Sequence, residues 1–105
     1  MEKNKKIKKQ TIAFDVDGTL IDMMSDTPNY QVVNLLLWFL HQVGWDVIVW
    51  SGGGVDYAKM YVRRLGFEEQ VRVIRKFSEK VDIAIDDEIN PEDADKTKTD
   101  VIIKV

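Results

Sequence analysis

Thr11-Ile12-Ala13-Phe14-Asp15-Val16-Asp17-Gly18-Thr19-Leu20 decides how this chain is read. An apolar run meets two acids spaced two apart, and a glycine follows. A short, continuous apolar run that stops at polar residues reads as a strand buried on both faces. Side chains alternate along a strand, so Asp15 and Asp17 point one way and Val16 the other. Gly18 turns the chain, because it can adopt backbone angles that other residues avoid. Two carboxylates crowded at a strand end repel one another unless a cation joins them or one holds a proton.

Working outward, strands and helices alternate. An apolar helix is expected from about Pro28 to Val43, with Thr27 as N-cap, Pro28 in the first position and Gly44 as the stop. On a helical wheel Val32, Leu36, Phe39, Leu40 and Val43 share the face that packs on a sheet. Trp38 lies on the polar side with His41, which reads as an ordinary surface residue. Trp45 to Trp50 is a second strand. Ser51-Gly52-Gly53-Gly54 follows, then a helix from about Val55 to Leu65 that Gly66 ends. Val71–Ile74, Val81–Ile85 and Val101–Val105 complete the strands. Residues 18–29 leave room for a turn and a short flap, with no inserted domain. This order predicts a parallel α/β sheet with right-handed crossovers.

Composition sets the bounds. At 105 residues the chain holds one domain, and 45% hydrophobic residues is ordinary for a globular protein. There is no cysteine, which excludes disulfides and thiolate metal sites. The most apolar stretch, Val32 to Leu40, is too short to span a membrane. No secretory signal is visible, so a cytoplasmic location is expected. The net charge of −3 conceals an asymmetry: five of the fifteen basic residues are Lys3, Lys5, Lys6, Lys8 and Lys9. Residues 1–9 are expected to form a flexible lysine-rich tail, and residues 10–105 a single catalytic domain. Nucleic acid is a conceivable partner of that tail but is not favoured, because no aromatic–basic interleaving accompanies it.

Ligands of open parallel sheets sit beyond the C-terminal ends of the strands. Asp15, Asp17, Ser51 with its glycines, Lys80, and the pair Asp86 and Asp87 are expected there. Four acids in a small volume suit a hard divalent cation with oxygen ligands, and Mg²⁺ is the common choice beside phosphate. Ser51 offers a hydroxyl, Gly52 to Gly54 offer backbone N–H groups, and the helix behind them adds its positive end. Lys80 supplies a full positive charge, with Lys76 as its competitor.

These parts, in this order, resemble the haloacid dehalogenase-like superfamily of phosphohydrolases in a minimal, capless form. Phe14-Asp15-Val16-Asp17-Gly18-Thr19-Leu20 matches the first family motif, Trp50-Ser51 the second, Lys80 the third and Ile83-Ala84-Ile85-Asp86-Asp87 the fourth. The resemblance spans roughly residues 11–105. It implies a three-layer α/β/α Rossmann-like fold with a mainly parallel sheet and no cap domain. It implies a Mg²⁺-dependent phosphatase of phosphomonoesters. Asp15 would become an aspartyl phosphate, and Asp17 would serve as general acid and base. Asp15, the Asp17 backbone carbonyl, Asp86 and Asp87 would hold the metal. Ser51, Gly52 and Lys80 would hold the phosphoryl oxygens. The substrate could be a small molecule or a macromolecule. The alternatives are a nucleic-acid end-phosphatase of the same chemistry, or a non-catalytic phosphate-binding or phospho-receiver-like module. Trp38 and Tyr30, exposed together, suggest a homo-oligomer contact.

Overall fold

A computed structural model describes residues 9–105. Apart from Lys9, which is exposed, the lysine-rich tail lies outside the described residues. Five parallel strands form the central sheet: β1 (Thr11–Asp15), β4 (Asp46–Trp50), β5 (Arg72–Val73), β6 (Val81–Asp86) and β7 (Thr99–Lys104). Their order is β5-β4-β1-β6-β7. Strand β1 is central, and all five of its residues are buried. Its register sets Phe14 beside Val49 on one side and Ile85 on the other. The expectation of a parallel α/β sheet therefore holds.

The layers are unequal. Ile12, Phe14, Val47, Val49 and Ile85 face both α-helices, α1 (Tyr30–Trp38) and α2 (Val55–Leu65). The helices answer with Val32, Val33 and Leu36 from α1 and with Ala58, Tyr61 and Val62 from α2. Fully burying a side chain of this kind contributes about 1.5–3 kcal/mol, so this layer carries most of the driving force. The opposite face presents Ala13, Ile48, Trp50, Ala84 and Ile102. Only connecting segments cover it, through Ile74, Phe77, Ile89 and Ala94. The third layer is thus short loops and two 3₁₀ turns, Pro91–Asp93 and Asp95–Thr97, rather than α-helices. The chain between β5 and β6 is too short to wind a helix and still return to the sheet.

Two further boundaries differ from the sequence reading. Thr27 and Pro28 do not start α1. They form β3 (Thr27–Pro28), which pairs antiparallel with β2 (Ile21–Asp22). A residue before proline is pushed toward extended backbone, and proline is tolerated at a ribbon edge. Helix α1 begins after Asn29, whose carbonyl accepts from the Val32 and Val33 amides. At its other end Phe39–Val43 forms a π-helical turn. The wider turn rotates the chain out of the α register, so Val43 is exposed rather than core-facing. Gly44 closes it at φ 79°, the left-handed stop expected there.

The β2–β3 ribbon is the flap that the length of the loop allowed. It is tied to α2 at its tip. The Tyr61 hydroxyl donates to Asp26 Oδ1 at 2.6 Å, and Arg64 Nη1 donates to Asp26 Oδ2 at 3.2 Å. These two donors, Tyr61 first, lower the Asp26 pKa. Among the described residues no helix is long and apolar enough to cross a membrane.

Candidate active site

Strands β1, β4 and β6 are neighbours, so their C-terminal residues converge without help from long loops. Asp15 ends β1, Asp86 ends β6, Ser51 follows β4 directly, and all three are buried. Asp15, Asp86 and Asp87 bring carboxylate oxygens within 4.8 Å of one another. Burial is the largest effect on Asp15 and pushes its carboxyl up; Lys76 opposes this, and Asp86 and Asp87 add to it. The outcome is a pKa raised to about 7. Crowded carboxylates of this kind are what a hard divalent cation with oxygen ligands stabilises, so these three residues fit one.

The loop after β1 is wound tightly. The Gly18 amide donates to the Ile21 carbonyl at 2.8 Å, and the Ile21 amide to the Val16 carbonyl at 3.0 Å. Gly18 has φ 76°, and a Cβ there would run into the Asp87 carboxylate. Glycine is therefore required twice, for the backbone angle and for the space Asp87 occupies. Thr19 Oγ1, also buried, lies 3.5 Å from both Asp15 Oδ2 and Asp87 Oδ1 and spans the two. Gly18→Ala is expected to cost about 1–2 kcal/mol from the positive φ alone, with the Asp87 clash added. Urea unfolding would read the lost stability. An alanine variant of wild-type stability would contradict this geometry.

Lys76 supplies the positive charge. Its Nζ lies 3.1 Å from Asp15 Oδ1 and 2.8 Å from Asp86 Oδ2. Burial alone would lower the pKa of this ammonium. The Asp86 hydrogen bond and the Asp15 charge outweigh it, and the net shift is upward. Lys80, the residue preferred on sequence, is 70% exposed and pairs with Asp100 at 3.5 Å. The reason is topological. Lys80 immediately precedes β6, while the site lies at the far end of that strand, roughly 20 Å away at about 3.3 Å per residue. Lys76 follows β5 and so emerges at the same sheet edge as the acids.

Ser51 is held in an ST-type turn: its Oγ accepts from the Gly53 amide at 3.0 Å. A hydroxyl has one donor, so that of Ser51 is left to point elsewhere. Asp17 meets Tyr57 of α2, whose hydroxyl donates to Asp17 Oδ1 at 2.8 Å. That hydrogen bond is the main cause of a strong upward shift of the Tyr57 phenol.

Asp15, Asp17, Ser51, Gly52, Gly53 and Lys76 line one cleft of about 240 Å³, with Met23 of the flap and Glu88. Of the residues expected from sequence, Asp15, Asp17, Ser51, Gly52, Asp86 and Asp87 are brought together, and Lys80 is not. Lys76 was weighed as the competitor; Tyr57, Thr19, Met23 and Glu88 were not singled out. Tyr57 stands in the first turn of the helix behind the glycine loop, one turn before Tyr61, but nothing in the sequence marks it as the residue that reaches Asp17. Met23 also borders a second hollow of about 510 Å³ between the flap and the start of α1, lined by Asn29, Tyr30 and Gln31 among others. Set against known protein families, curated proteins and solved structures, the chain matches none.

Proposed function

We propose that this chain is a Mg²⁺-dependent phosphatase of the haloacid dehalogenase-like kind, hydrolysing a phosphomonoester through an aspartyl phosphate on Asp15. The observation that carries the reading is the meeting of Asp15, Asp86 and Lys76 as a buried ion cluster, with Asp87 beside it and Ser51 across the same cleft. A purely structural ion pair needs one acid per base. Here two acids hold one ammonium and a third, Asp87, lies beside them, and the excess negative charge suits a cation and a phosphoryl group together.

The steps follow from the residues. An Asp15 carboxylate oxygen attacks phosphorus. The P–O bond to the leaving group breaks, its electron pair stays on the leaving oxygen, and Asp17 gives that oxygen a proton. Asp17, now a carboxylate, takes a proton from a water whose oxygen attacks the same phosphorus, and Asp15 is released. Lys76 and the Ser51 hydroxyl hold the phosphoryl oxygens, whose charge must be balanced throughout. Asp15, Asp86, Asp87 and the Asp17 carbonyl would hold Mg²⁺, which would supply the positive charge that lets a carboxylate approach a phosphate dianion.

Met23 borders both the cleft and the larger hollow beyond it, and that hollow gives a leaving group room. The test is phosphate release from p-nitrophenyl phosphate by the purified chain. Hydrolysis that requires Mg²⁺ and stops on chelation is expected. Hydrolysis indifferent to chelation, or none with Mg²⁺ present, would sink the reading.

A further inference from the structure

We infer that Tyr57 is the positioning residue of the acid–base step: its hydroxyl holds Asp17 by one carboxylate oxygen and leaves the other to exchange the proton. The inference rests on the phosphatase reading above. Asp17 stands on the tight loop after β1 and is only half-buried, so packing alone does not fix its side chain. A mobile carboxylate is a poor proton donor, because proton transfer needs hydrogen-bond reach to the reacting oxygen. The 2.8 Å bond from Tyr57 to Oδ1 removes that freedom. Oδ2 then remains as the oxygen that meets the leaving group and, afterwards, the water.

Tyr57 is itself well held. Its ring lies against Gly53, where a Cβ would come within 3.0 Å of Tyr57 Cδ2, so the middle residue of the glycine run makes room for it. On its other side it packs edge-on to Tyr61, with centroids 5.2 Å apart and planes at 66°. Tyr61 is in turn anchored to the flap through Asp26. Two tyrosines one helical turn apart thus hold the acid with one hydroxyl and the flap with the other. A tyrosine that served packing alone would have no need to place its hydroxyl on the one acid that moves protons.

The test is kcat/KM of wild type and Tyr57→Phe on two substrates, p-nitrophenyl phosphate and glycerol phosphate, with Mg²⁺ present. An alkoxide is a poor leaving group and needs its proton in the transition state; nitrophenolate leaves without one. General acid–base help is worth about 10²–10⁴-fold, so losing the positioning part should raise the aryl-to-alkyl ratio of kcat/KM by roughly tenfold. A structural role would lower both substrates by the same factor. Phenylalanine keeps the contacts with Gly53 and Tyr61, and a thermal melt checks that the variant is folded. In the Asp17→Asn background, Tyr57→Phe should add nothing, since it acts through Asp17. An active wild type with an unchanged ratio, or a full additional loss in the Asp17→Asn background, overturns the inference while the phosphatase reading stands. A wild type that hydrolyses neither substrate overturns both.

Discussion

Asp15→Asn is expected to bring phosphate release down to the background of uncatalysed hydrolysis, a loss of roughly 10⁴–10⁶-fold, as removal of a covalent nucleophile does elsewhere. An amide oxygen cannot form the acyl phosphate, so Lys76, Ser51 and Asp17 have no reaction to assist. The expected effect on stability is small, which makes the experiment clean. Asp15 is a buried carboxylate facing Asp86 and Asp87, and burial and those two charges raise its pKa to about 7 against the pull of Lys76. Asparagine removes the cost of burying that charge and loses the ion pair to Lys76; the two changes oppose one another. Phosphate release measured beside a thermal melt separates chemistry from folding. Turnover that survives in a folded Asp15→Asn protein would remove the aspartyl phosphate from the mechanism. Isotope from ³²P-labelled substrate retained on wild type after a rapid acid quench, and absent from Asp15→Asn, is the complementary observation.

Much of the site was legible because of a property of parallel sheets. Central strands are apolar on both faces, so the first polar residue after the run marks the end where ligands bind. Asp15 after Ile12-Ala13-Phe14, Ser51 after Val47 to Trp50, and Asp86 after Ile83-Ala84-Ile85 all follow that rule. Gly18 was legible as a turn. Its second duty, leaving space for Asp87, was not, because it joins residues far apart in sequence. Tyr57 was hidden for the same reason. Its helix was found, but which helix residue reaches the β1 loop depends on how α2 sits on the sheet.

The fold divides similarly. Helix stops at Gly44 and Gly66 were readable, and both glycines have positive φ. The start of α1 was misplaced because Thr27-Pro28 satisfies two local patterns, a capped helix start and an extended X-Pro step. The pairing of Pro28 with Ile21 decided between them, and that pairing is not local. The π turn over Phe39–Val43 left no mark in the hydrophobic pattern. Phe39 packs there against Trp45, with ring centroids 5.1 Å apart, after the turn has already shifted the register.

The lysine decides how far motif matching can be taken in so short a chain. Lys80 has the order that a third motif requires, yet it precedes β6 and so starts at the wrong end of the sheet. That much could have been deduced from the strand assignment alone. Lys76 reaches the acids because the chain turns back on itself just after it; Phe77 has φ 62°, an unusual angle for a bulky residue. Its ring is held against Trp50, with centroids 5.4 Å apart. Lys76→Met keeps the length of the side chain and removes the charge. It is expected to lower kcat by about 10²–10³, the usual loss when one electrostatic contact to the transition state is removed. Stripping one partner from a buried ion pair costs about 3–5 kcal/mol in general. The loss of stability here should be smaller, since Asp15 already titrates near pH 7 and can answer by taking up a proton. On the phosphatase reading, saturating Mg²⁺ should restore part of that stability without restoring the rate, because a bound metal would replace the charge opposite the acids but not the proposed contact to phosphate. Lys80→Met, on an exposed pair with Asp100, should leave kcat within about twofold of wild type, as surface ion pairs contribute little. The reverse pattern, loss at Lys80 and tolerance at Lys76, would mean that the chain between β5 and β6 takes a different path when substrate is bound.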